Sequence, residues 1–207
     1  MSKELTAPLS QGLSSRSKAE YWLRRVGVAM AGSALVAACA HIALPLYFTP
    51  VPLTVGDFAV LVLGLTLSPR LAAATLAAYL MEGAVGLPVF APGPLLAPAG
   101  LAHLLGPTGG YLLSYPFAAA LVSFLFRRGR RRFSSALVSA AIGNLFLLIC
   151  GALWFAFFTH AATGFILAQT IVPFLPGSAL KVALAAAVAA GSVRLSRRLS
   201  QIDSQCG

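Results

Sequence analysis

Apolar residues fall in long blocks along this chain, each closed by proline or by a short polar stretch. The first block covers residues 23–44 and stops at Pro45, and a shorter one covers 55–67 and ends at Ser68-Pro69-Arg70. A third covers 71–87 and is closed by Pro88, followed by blocks at 109–126, 133–158 and 177–194. A helix needs roughly 17 to 25 mostly apolar residues to cross a bilayer, and fewer where it is shielded by other helices. The pattern therefore predicts an all-α integral membrane protein, a six-transmembrane-helix bundle. An apolar run at 161–172 is too short to cross and is broken by Pro173 and Pro176, so it is expected to form a partial helix or lid between spans five and six. The implied organisation is an N-terminal tail (1–22), a membrane domain (23–194) and a C-terminal tail (195–207).

The charges orient the bundle. Lys3, Arg16, Lys18, Arg24 and Arg25 precede the first span, Arg70 joins the second and third, and an Arg-Arg-Gly-Arg-Arg-Arg run at 127–132 joins the fourth and fifth. Arg194, Arg197 and Arg198 follow the last span, while loops 45–54, 88–108 and 159–176 contain no Lys, Arg, Asp or Glu. Cations gather in cytoplasmic loops, so both termini are expected in the cytoplasm. Tyr21 and Trp22 fit anchors at the inner boundary, and Trp154 one near the outer boundary. The composition agrees: the 207 residues are 58% hydrophobic and 10% charged, against about one quarter charged in a soluble domain. A soluble enzyme is excluded. The net charge of +10 follows from the loops, and no basic stretch is interleaved with base-stacking aromatics, which argues against nucleic acid.

Cys39 and Cys150 lie in apolar runs and Cys206 is next to last, so no disulfide framework is expected. Val36-Ala37-Ala38-Cys39 has the look of a lipoprotein cleavage box, but five spans follow it. The same small residues repeat at four-residue spacing, Ala29, Ser33 and Ala37 in one row and Ala34 and Ala38 in another. Such rows let a second helix approach closely, from within the bundle or from a partner.

Ionisable groups inside spans are costly and are candidates for function. Three occur, Asp57, Glu82 and Lys181, and counting along the spans puts all of them in the outer third of the bilayer. An outward-opening apolar pocket with a few fixed charges would suit an anionic ligand. An internal ion pair tying helices, Lys181 with Glu82 or Asp57, would use the same residues. Asn144 stands in the fifth span and could bond between helices or reach a ligand. The outer loops carry aromatics and turn formers, including Tyr47, Phe48, Phe90 and Gly106-Pro107-Thr108-Gly109-Gly110-Tyr111. No Gly-x-x-x-x-Gly-Lys-Ser/Thr loop is present, so ATP would have to be used by another subunit. His41, His103 and His160 show no ligand spacing, and no metal or cofactor is expected.

At these residues the chain resembles BioY, the biotin-specific S component of energy-coupling-factor (ECF) vitamin transporters. The matching strings are Thr49-Pro50-Val51-Pro52-Leu53-Thr54, YLMEGAVGLPVF at 79–90, LLGPTGGYL at 104–112 and VPFLPGSALK at 172–181. The resemblance implies a six-helix subunit of a bacterial cytoplasmic (inner) membrane that captures biotin at the outer face. Its implied partners are a membrane coupling protein and two ATPase subunits, with Ala34 and Ala38 contacting the coupling protein. Lys181 matches the lysine of the family's Pro-Gly-Asp-x-x-Lys turn, which approaches biotin. Ser178 stands where that turn has aspartate, so Glu82 or Asp57 would have to supply the missing acceptor. Gly56, where many relatives carry glutamine, and the prolines Pro92, Pro94 and Pro98 are further departures.

Two other functions use the same features. A solitary ion-coupled secondary transporter of a small carboxylated vitamin would carry protons on Asp57 and Glu82, yet neither lies at the bilayer midplane. A membrane enzyme would need a Ser–His pair at matching depth, an embedded metal motif or a Gly-x-Ser-x-Gly elbow, and the chain has none.

Overall fold

The structure, a computed structural model, describes residues 7–44, 52–92, 100–130 and 132–206, with side chains from 19 to 195 within those ranges. Tyr47, Phe48, Thr49, Pro50, Val51, Pro94 and Pro98 lie outside the described residues.

Six helices run back and forth through the molecule: α1 (Ala7–His41), α2 (Gly56–Thr66), α3 (Pro69–Ala84), α5 (Gly109–Arg128), α6 (Phe133–Thr159) and α8 (Leu175–Cys206). Two short helices decorate one end, α4 (Leu101–Leu104) and α7 (Thr163–Thr170), the latter running into a 3-10 turn at Val172–Phe174. The expected partial helix at 161–172 is therefore α7 with that turn. Four segments are long and apolar enough to cross a membrane: Ala19–His41, Gly109–Arg128, Phe133–Thr159 and Thr163–Leu195. The other two long helices, α2 and α3, are 11 and 16 residues, too short to cross a bilayer on their own. Both α1 and α8 continue as helices past their apolar segments, α1 beginning at Ala7 and α8 ending at Cys206.

Packing follows from side-chain size. α5 lies between α3 and α6, α8 closes against α6 and α2, and α1 covers α3 and α2. In lipid there is no hydrophobic drive between helices, so close contact has to come from small residues. Alanines accordingly fill many of the buried seam positions, among them Ala59, Ala72, Ala118, Ala119, Ala136, Ala140, Ala185, Ala186 and Ala189, beside larger residues such as Leu61, Leu76 and Val122. Large apolar side chains instead point outward, among them Phe117 and Phe124 of α5, Ile142, Leu145 and Leu153 of α6, and Leu180, Leu184 and Val188 of α8. That inverted surface suits hydrocarbon and would be insoluble in water.

The two ends differ in chemistry. Ser123 of α5 donates to the Leu67 carbonyl at the α2–α3 junction (2.6 Å), which brings Arg70 to the same end as Arg127, Arg128, Arg130 and Arg132. At the opposite end a two-residue antiparallel ladder pairs Ala43 with Thr54 and Leu44 with Leu53. It joins the end of α1 to the start of α2 and fixes where Thr54 points its carbonyl.

Candidate functional site

The site grows out of that ladder. Beyond Thr54 the chain turns directly into α2, leaving Asp57 in the first helical turn, where the helix dipole favours an anion. α8 starts at Leu175 at the same end and packs on α2, so Lys181 faces Asp57. Its ammonium donates to both carboxylate oxygens of Asp57, at 2.9 and 2.8 Å, and to the Thr54 carbonyl at 2.5 Å. The side chains are 12% (Lys181) and 22% (Asp57) exposed, so the pair is sheltered yet reachable. Among the described residues this is the one salt bridge. Ser178, one turn earlier on α8, is buried beneath the same region.

Aromatic residues extend the site across α3 and α5. Tyr115 of α5 is buried close to Thr54 and Asp57. Its ring stacks on Tyr79, with centroids 6.3 Å apart and planes 19° from parallel. Tyr79 meets Phe90 edge-on at 5.5 Å and donates to the Val89 carbonyl at 3.1 Å. Phe90 in turn stacks on His103 of α4 at 5.1 Å. A Cβ on Gly83 would fall inside the Phe90 ring, so a glycine on α3 is what allows this stack to close over the helix.

A second wall comes from the glycine-rich start of α5. Tyr111 lies flat against Gly151 of α6, where any side chain would overlap its ring. Its hydroxyl donates to the Thr170 carbonyl at 2.8 Å, pinning α7 across the end of the bundle. Trp154 donates to the Gly106 carbonyl at 2.9 Å and holds the turn before α5. Phe174 completes the wall at 6.3 Å from Tyr111.

The expected meeting of three ionisable groups is only partly realised. Lys181 and Asp57 pair, but Glu82 does not join them: its carboxylate accepts from Ser33 Oγ of α1 at 2.5 Å. Depth along a helix can be counted from sequence, whereas the direction around its axis depends on packing, and Glu82 turns toward α1. The small-residue rows of α1 also separate. Ser33 is buried and Ala29 and Ala37 are half-buried within the bundle, whereas Ala34 and Ala38 are exposed. Asn144 is buried in α6, about 16 Å along the helix from its first residue at 1.5 Å per residue. That places it near mid-bundle, below the Lys181 end. Tyr79, Tyr115 and Thr54 are site residues that motif reading did not single out as ligand groups. The signal available for Tyr79 was its place three residues before Glu82, inside the 79–90 string. Among the described residues no group of three His, Cys, Asp or Glu could hold a metal.

Comparison with known proteins adds an independent line. The BioY family profile matches residues 9–198. A probable biotin transporter BioY of Pyrococcus horikoshii is 36% identical over 140 residues, covering 68% of this chain and 79% of that protein. The biotin transporter BioY2 of Lactococcus lactis is 31% identical over 144 residues, covering 70% and 76%. In fold, the chain is similar to the crystal structure of the S-component for biotin from an ECF-type ABC transporter. The TM-score is 0.75 at 22% identity, over 84% of this chain and 93% of that one. These relatives are transport proteins rather than enzymes, and this chain belongs to the BioY family.

Proposed function

We propose that the chain is the S component of an ECF transporter: it captures biotin at the outer face of the inner membrane and hands it on for ATP-driven uptake. The observation that carries this reading is the sheltered Lys181–Asp57–Thr54 cluster, set among tyrosines in a chain whose relatives are named biotin transporters. A carboxylate entering beside Lys181 exchanges the Asp57 contact for its own charge-assisted bond. The freed Asp57 oxygen then accepts an N–H, the role left open by Ser178. The tyrosine stack supplies flat apolar walls for the rest of a small bicyclic ligand.

The arginine end is assigned to the cytoplasm by the positive-inside rule, which gives six passes and places both termini inside. The short α2 and α3 count as passes because neighbouring helices shield them. Ala34 and Ala38, exposed on α1, offer a smooth strip for the membrane coupling protein, which would be joined by two ATPase subunits. No cofactor is needed in the chain itself.

Reconstitution tests the assignment. Proteoliposomes containing the chain with a coupling protein and ATPases should take up labelled biotin only with internal ATP. Accumulation by the isolated chain on a pH gradient alone would instead favour a solitary ion-coupled carrier.

A further inference from the structure

At the arginine end, an open groove of about 460 Å³ lies between the last turn of α5 and the first turns of α6. Arg130, Arg132, Ser134 and Ser135 form its upper rim, and Leu125 and Ile142 are part of the wall below them. Among the described residues, neither arginine is paired with a carboxylate. The start of α6 adds donors, since its first turn has no side-chain cap and its leading amides are free of intrahelical partners. The wall below is apolar, and Ile142 continues into the outward-facing surface of α6, a helix long enough to cross the membrane. Nothing in the capture of biotin at the opposite end calls for this arrangement.

We infer that the groove is a binding site for an anionic phospholipid of the inner leaflet. The phosphate sits between the Arg130 and Arg132 guanidiniums and the two serine hydroxyls, and an acyl chain lies along Leu125 and Ile142. Charge complementarity selects the occupant: guanidiniums at headgroup level attract an anionic headgroup, and the apolar wall gives a lipid contacts that a free phosphate lacks. Bound there, the lipid staples α5 to α6 across their arginine-rich connection.

The test is a lipid titration of the purified full-length chain in dodecyl maltoside, following its unfolding temperature. Phosphatidylglycerol should raise the midpoint saturably, whereas phosphatidylcholine and inorganic phosphate should not. The Arg130→Gln/Arg132→Gln pair should need about thirtyfold more phosphatidylglycerol for the same effect while binding biotin as the parent does. An Arg24→Gln/Arg25→Gln pair, which removes equal charge at α1, should keep the parent response. Equal stabilisation by phosphatidylcholine or by phosphate would overturn the proposal. So would equal loss in the two arginine pairs, or an unchanged lipid response in Arg130→Gln/Arg132→Gln.

Discussion

Three variants, Asp57→Asn, Lys181→Met and the two combined, separate a helix tie from a ligand site. In Asp57→Asn the ammonium of Lys181 keeps the Thr54 carbonyl and loses the one carboxylate it pairs with among the described residues. Removing one partner of a buried pair costs about 3–5 kcal/mol. The 12% and 22% exposure of the two side chains gives water partial access, so the lower end, roughly 3 kcal/mol, applies. For a chain of this size that lowers the unfolding midpoint by about 6–12 °C. The double variant leaves no unpaired charge and should recover most of that loss. Binding should not recover. Loss of a charge-assisted bond of roughly 1.5–3 kcal/mol weakens biotin about ten- to hundredfold, in the double variant as in Lys181→Met. Thermal unfolding in detergent and calorimetric titration with biotin read the two quantities on the same samples. A double variant that binds biotin as tightly as the parent would reduce the pair to a structural tie. Additive stability losses would show that the two charges are not coupled.

Other residues give simpler tests. Glu82→Gln and Ser33→Ala should each lower stability by about 1–3 kcal/mol through the α1–α3 contact. Both should leave biotin affinity within about twofold, as expected for a separate site; a large affinity loss in calorimetry would return Glu82 to the ligand. Gly151→Val should push Tyr111 off α6 and release α7, costing about 1–3 kcal/mol by overpacking, visible as faster amide exchange across α7. The pair Ala34→Phe/Ala38→Phe should bind biotin normally but fail to co-purify with coupling protein and ATPases; retained co-purification would move the interface off this strip.

Much of the fold was legible because lipid imposes a simple rule on sequence. The apolar blocks at 109–126 and 133–158 match α5 (Gly109–Arg128) and α6 (Phe133–Thr159) closely, since polar or proline residues have to mark each crossing. The α1 and α8 extensions were not legible: helix formation beyond an apolar segment depends on local propensity, which the hydropathy pattern does not report. At the site, the partnership of Lys181 and Asp57 was one of two pairings open from depth alone. Glu82 shares that depth but faces Ser33, because its direction depends on how α3 rolls against α1. The split between Ala34 and Ser33 has the same origin, as neighbouring residues on a helix point about 100° apart. Tyr79 and Tyr115 stack through positions 36 residues apart in sequence, a contact that only the packing of α3 on α5 creates.

Equilibrium binding of radiolabelled biotin to the purified full-length chain tests the central claim most directly. Binding should saturate near one biotin per chain, be displaced by unlabelled biotin and be strongly weakened in Lys181→Met. No saturable binding by the folded chain, or undiminished binding in Lys181→Met, would contradict it.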